Sequence, residues 1–262
     1  MGAVRGNRGG YSGRRVTVGL TPDGRGMEDL LTAFVKDVQS LYGEDLFAVV
    51  LYGSAAAGEH VPGRSDLNVV VVLRNLTPAL LRKAAGHLRS WHRKGFATPL
   101  ILDPEILTDS LDVFPIEFLD MQERHRMLWG PDLFADLHIE RQNLRLQCEQ
   151  ELRGKLMKLR QSYVESAHAP ADLERILGAA VSSIVVLART LLRLGGQDPR
   201  GRAEAVLERA QMQFTTPTAG LRKACQLKRG DIRLAGSSLE VLYQEVLEEV
   251  QRLVQVVDGL AA

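Results

Sequence analysis

The stretch LYGSAAAGEHVPGRSDLNVVVVL, Leu51 to Leu73, holds residue types suited to phosphate and metal chemistry. Gly53 lets the chain approach a ligand closely, and Ser54 adds a hydroxyl and backbone N–H groups at the start of a short Ala-rich segment that reads as a helix, where a phosphate is favoured. Eleven residues separate Ser54 from Asp66, and Asn68 stands two positions further on. In a strand, residues two apart point to the same face, so Asp66 and Asn68 look into one site while Leu67 and Val69 enter the core. That geometry suits a shared metal ion. Arg64 and Ser65 directly precede Asp66, and Arg64 reads either as a phosphate contact or as a solvated loop charge.

These residues need strands and helices to hold them. Met27 to Leu41 carries apolar residues at helical spacing until Gly43 stops the run. Leu46–Tyr52 reads as a buried strand and Leu67–Leu73 as a second, very apolar one. Thr77–Lys94 reads as a helix, and Pro99–Leu102 and Phe114–Leu119 read as strands. The run Glu123, Arg124, His125 and Arg126 reads as the exposed face of a helical stretch, and His60 as a loop residue. After Leu137 the strands cease. Long helices are expected over Ile139–Ser166 and Asp172–Leu194, then two shorter ones, and a last one from a capping box at Ser237 and Glu240 to about Val257. The expected organisation is a Gly/Arg-rich tail over residues 1–26, an α/β (α+β) domain over 27–137 with a mixed sheet flanked by helices, and an all-α helical bundle over 138–262.

Composition narrows the classes. A chain of 262 residues, 45% apolar and 25% charged, is long enough for a real core, and its net charge of +1 exerts no overall pull toward nucleic acid or a membrane. The tail carries Arg5, Arg8, Arg14, Arg15 and Arg25 against Asp23 and cannot pack a core of its own. It reads as a mobile tail, or as an arm that contacts phosphate or nucleic acid. Cys148 and Cys225 lie in helical segments without zinc spacing, as buried thiols of a reducing compartment do. No run of eighteen apolar residues occurs and no secretory signal is evident, so a soluble, cytoplasmic protein is expected.

An apolar residue, Gly53-Ser54, a spacer, and Asp66-Leu67-Asn68 at a strand start resemble the signature of the DNA polymerase beta-type nucleotidyltransferase superfamily, which has an acid where Asn68 stands. More narrowly, the chain resembles the aminoglycoside nucleotidyltransferases and their bacterial relatives, which join such a domain to a C-terminal helical bundle. The resemblance implies Mg2+ at Asp66, at Asn68 in altered form and at a third carboxylate on a later strand, for which Glu117 is the candidate and Asp120 the fallback. It implies nucleotide contacts at Gly53, Ser54, Arg64 and Ser65, and catalytic roles for Asp66 and Glu117. In such transfer magnesium neutralises charge on the α-phosphate and the departing pyrophosphate. Asn68 offers a neutral oxygen and removes one unit of charge, and a charge pair at about 4 Å is worth on the order of 4 kcal/mol at an effective dielectric of 20.

Three readings follow. One is an enzyme moving a nucleoside monophosphate from ATP or another triphosphate to a hydroxyl of a small-molecule acceptor. The second is a nucleotide-binding or regulatory protein whose catalysis Asn68 has weakened. The third is an RNA- or protein-modifying relative, which the wide Arg160 to His168 spacing disfavours.

Overall fold

In a computed structural model of the chain, residues 25–58, 60, 65–166 and 170–260 are described. The chain divides into two compact units. The first runs to Asp109 and resumes over Asp120–Leu137, and the second comprises Ser110–Leu119 and the chain from His138 onward.

The first unit is a mixed four-stranded sheet with strand β1 (Leu46–Tyr52) at its centre. Strand β2 (Asn68–Leu73) and strand β4 (His125–Trp129) flank it, both antiparallel, and strand β3 (Leu100–Leu102) adds parallel to β2, giving the order β3-β2-β1-β4. Helix α1 (Arg25–Tyr42) covers one face. Its Leu31, Phe34 and Val38 meet Leu46, Val49 and Leu51 of β1 and Val69, Val71 and Leu73 of β2, with Trp91 and Phe96 closing the cluster. Phe34 stacks on Phe96 at 4.5 Å between ring centroids, an offset aromatic contact that fixes α1 over the sheet. Ala48, Val50, Val70 and Val72 on the other face are also fully buried.

Two connections differ from the sequence expectation. Thr77–Lys94 is two helices, α2 (Pro78–Ala85) and α3 (Leu88–Arg93), separated at Gly86 and His87. Thr77 caps α2 through its hydroxyl, which accepts from the Leu80 N–H at 3.3 Å, and Pro78 fits the first helical position. After β3 comes the short helix α4 (Pro104–Asp109). The segment expected as a strand over Phe114–Leu119 is instead the start of helix α5 (Pro115–Glu123), and the expected helical run after it contains β4. Proline at the first helical position and the Phe118 N–H to Phe114 C=O bond, 3.2 Å, account for the helix.

The second unit is helical: α6 (Arg141–Ser166), α7 (Pro170–Leu194), α8 (Ala203–Phe214), α9 (Ala219–Arg229) and α10 (Ser237–Asp258). Leu144, Cys148, Leu152 and Leu156 of α6 form one apolar stripe, and they pack in one core with Leu177, Ile184 and Leu191 of α7 and with α10. Over Asp172–Leu194, α7 is long and apolar enough to cross a membrane, and Ile184, Ala188, Leu191 and Leu192 lie fully buried in this core. Helix α10 starts without the expected capping box, because Gly236 is its N-cap and no side chain caps it.

Candidate functional site

The end of β1 and the start of β2 form the frame for the Gly-Ser turn. Tyr52 pairs with Asn68, so the turn leaves β1 opposite the first residue of β2. Gly53 takes φ +75°, a left-handed conformation that disfavours a side chain, and its N–H bonds the Arg124 carbonyl at 3.0 Å. A Cβ at Gly53 would lie 3.4 Å from Asn68 Nδ2, so the turn and the odd residue are direct neighbours. The Ala-rich segment is not a helix: Ala57 N–H closes a turn onto the Gly53 carbonyl at 3.0 Å, and Gly58 reverses the chain at φ +71°. The helix N-terminus expected at Ser54 is therefore replaced by a compact turn, in which Ser54 is half-buried.

Asp66 lies one residue before the strand pairing begins. Leu67 makes an isolated parallel bridge to Phe96, with its N–H on Gly95 O at 2.9 Å and its carbonyl accepting from Ala97 N–H at 3.0 Å. Leu67 and Val69 enter the core under α1, so strand alternation turns Asn68 to the opposite sheet face, and the exposed Asp66 precedes it with the same parity. Ser65 is half-buried beside Asp66. Arg64 lies outside the described residues, as does most of the tail over 1–26.

Across β1 from Asn68 stands His125, the second partner of Tyr52. Its Nδ1 lies 3.1 Å from Met121 O and 2.9 Å from Gln122 O, and its Nε2 lies 3.2 and 3.1 Å from the Asp132 carboxylate oxygens. Asp132 also accepts the Phe134 and Ala135 N–H groups at 2.9 and 3.1 Å. Burial pushes the Asp132 carboxyl up, but these hydrogen bonds and the imidazole outweigh it and hold the group below the usual aspartate range. With both ring nitrogens engaged, His125 secures the loop after β4. Tyr52, whose hydroxyl burial pushes up, and the His125–Asp132 pair were both missed in the sequence. Tyr52 hides at the end of an apolar run, and the signal for the pair is the Gly130-Pro131-Asp132 turn directly after β4.

Glu117 stands on α5 in the second unit, not on the sheet. There its Oε2 accepts Gln147 Nε2 at 2.8 Å, while Gln147 Oε1 accepts the Ile116 N–H at 2.8 Å, so the amide of Gln147 ties α6 to the first turn of α5. Asp120, the fallback, is 4.0 Å from Arg124. Neither β3, LIL, nor β4, HRMLW, carries an acid. At the start of β2 the donors are the Asp66 carboxylate and the Asn68 amide, and among the described residues no group of three His, Cys, Asp or Glu side chains could hold a metal ion. Among the described residues, this pair alone does not make a magnesium cage of the carboxylate type. The arginines of α6 are bound within the bundle: Arg141 donates to Leu194 O at 2.6 Å, and Glu149 lies between Arg145 and Arg153 at 3.1 and 2.8 Å. Burial pushes the Cys148 and Cys225 thiols up to about 12 and about 11, which leaves no reactive thiolate.

No family model and no curated protein matches the sequence. Among solved structures, the chain is similar to spectinomycin adenyltransferase AAD(9) from Enterococcus faecialis, solved with ATP and spectinomycin. The two share 11% identity at a TM-score of 0.55, over 86% of this chain and 99% of that one. At that identity the likeness carries fold rather than chemistry. A mixed four-stranded sheet flanked by helices and followed by a helical region is therefore, in this chain, a nucleotidyltransferase-like fold.

Proposed function

We propose that the first unit binds a nucleoside triphosphate, with ATP the first candidate, at the Gly53-Ser54 turn and the start of β2, and that it acts as a nucleotide-binding or regulatory protein with weakened or lost transfer chemistry. The observation that carries this reading is the charge on the sheet: Asp66 is followed by Asn68, and β3 and β4 offer no acid. Ser54, Ser65 and, from the sequence, Arg64 supply donors for phosphate oxygens. Asp66 is the one carboxylate at the strand start, and Asn68 adds a neutral oxygen beside Gly53.

The ATP and spectinomycin of the neighbour support a second reading, in which a nucleoside monophosphate passes to a hydroxyl of a small-molecule acceptor. Such transfer would require Glu117 or another acid to join Asp66 as a ligand or base. A pyrophosphate-release assay on wild type, Asn68→Asp and Asp66→Ala, with mixed triphosphates, magnesium and a panel of hydroxyl acceptors, separates the two. Triphosphate binding without release in wild type supports the binding reading, whereas release that Asp66→Ala abolishes establishes the enzyme. Failure to bind any triphosphate at millimolar concentration rejects both.

A further inference from the structure

Between helix α1 and strand β4 lies a groove of about 450 Å³, a size common in small-molecule sites. Its α1 wall is one helix face, on which Leu31 is buried and Val35 half-buried, while Thr32 and Lys36 are exposed and Gln39 is half-buried beside them. Leu128 of β4 adds a half-buried apolar side chain. The groove is on the α1 side of the sheet, because Arg126 in its wall pairs with Leu51, which enters the core under α1. Asn68 faces the other side.

The charges of the groove are unequally engaged. One acid, Glu28, stands against two bases, Lys36 and Arg126, so the lining is net basic. Arg126 takes Glu28 in a bidentate pair at 2.7 and 3.2 Å, which uses two of the five guanidinium N–H groups. Among the described residues its buried Nε has no hydrogen-bond partner, and no ion pair or side-chain hydrogen bond engages Thr32, Lys36 or Gln39. The edge of β4 adds a backbone donor. Gly53 N–H bonds Arg124 O, so the antiparallel alternation turns the N–H and C=O of Arg126 toward β1 and those of Met127 outward.

We propose that this groove is a second binding site, for a small molecule that joins one anionic group, a carboxylate or a phosphate monoester, to an apolar or aromatic body. Lys36 meets the anion, and Thr32, Gln39 and the Met127 N–H supply hydrogen bonds to its oxygens. The body lies against Leu31, Val35 and Leu128. A cationic ligand finds only Glu28, whose carboxylate already holds Arg126.

The test is an NMR titration of the backbone amides of the full chain with phenyl phosphate and with benzoate. Benzyl alcohol, which keeps the body without the charge, and inorganic phosphate, which keeps the charge without the body, are the controls. Wild type is compared with Lys36→Gln and Lys36→Arg, and because Lys36 is exposed neither substitution disturbs the core. The expected result is that one or both organic anions shift the Thr32, Lys36, Gln39 and Met127 amides together, about tenfold more tightly than either control. That affinity falls about tenfold in Lys36→Gln and is kept in Lys36→Arg. The tighter of the two anions names the group. No shift at those amides up to about 10 mM of either anion, equal affinity in wild type and Lys36→Gln, or a control that binds as tightly overturns the proposal. Shifts confined to Gly53, Ser54 and Asn68 assign the anion to the turn and overturn it too.

Discussion

Replacing Asn68 by Asp tests whether the start of β2 is a ligand position. The substitution is nearly isosteric and Asn68 Nδ2 sits 3.4 Å from the position a Gly53 Cβ would take, so the backbone has no reason to move. Two residues along a strand are about 6.6 Å apart, so without metal the new carboxylate repels that of Asp66 by roughly 0.6 kcal/mol in water-like dielectric. With a divalent ion about 4 Å from the carboxylate centre, the same dielectric gives an attraction of about 2 kcal/mol, or roughly thirtyfold in affinity. That figure is a floor set by the exposure of Asp66, and any exclusion of water raises it. Calorimetric titration of magnesium, with and without a triphosphate, reads it directly, and the metal-free variant should unfold slightly earlier than wild type. If Asn68→Asp shifts magnesium and triphosphate affinity by less than threefold, the site does not lie where Asp66 and Asn68 put it.

Further outcomes follow from the backbone and the bundle. A Cβ at Gly130, φ +83°, would lie 2.3 Å from Phe47 O and 2.9 Å from Ala48 Cα, whereas one at Gly43, φ +56°, meets nothing within 4 Å. Gly130→Ala should cost about 3 kcal/mol or more and lower the melting temperature by roughly 6–12 °C, against about 1 kcal/mol for Gly43→Ala, and equal losses in thermal unfolding would refute the close approach. Buried Glu249 accepts the Gly220 and Leu221 N–H groups at 2.8 Å each, at the start of α9. Glu249→Ala leaves both without a partner and should cost about 2–4 kcal/mol in urea unfolding. Burial raises the Glu249 carboxyl against the opposing pull of those N–H groups, so its contribution is fullest below the ordinary carboxylate value and declines as pH rises through the raised one. The Glu249→Ala deficit should accordingly be larger in mild acid than at neutral pH.

Helix α1, β1, β2 and the bundle were legible because their apolar periodicities are long and unmixed: Leu31, Phe34 and Val38 repeat at helical spacing, and Val69 to Leu73 has no polar interruption. Phe114–Leu119 misled because Ile116 and Phe118 are both buried with Glu117 exposed between them, which in six residues reads as period two although the backbone is a short helix. Strand β4 was hidden by its position. At the sheet edge all five of its residues are only half-buried, so His125 and Arg126 are tolerated and its apolar signal is weak. That Gly53 and Asn68 become neighbours was readable, because the two strong strands that carry them pair Tyr52 with Asn68. The absence of an acid on the later strands was not readable, since it depends on which segments become strands.

The antiparallel pairing of β1 with both β2 and β4 also dictates an order of events at the ribosome. Fifteen residues separate the end of β1 from the start of β2, so that ladder can close as soon as Leu73 is free of the exit tunnel. The other side of β1 waits for β4, roughly 75 residues and about 4–15 s of synthesis later at 5–20 residues per second. During that interval the hydrogen-bonding edge of LFAVVLY is bare in a nascent chain tethered beside others like it, which makes β1 the segment for which a holding chaperone would compete.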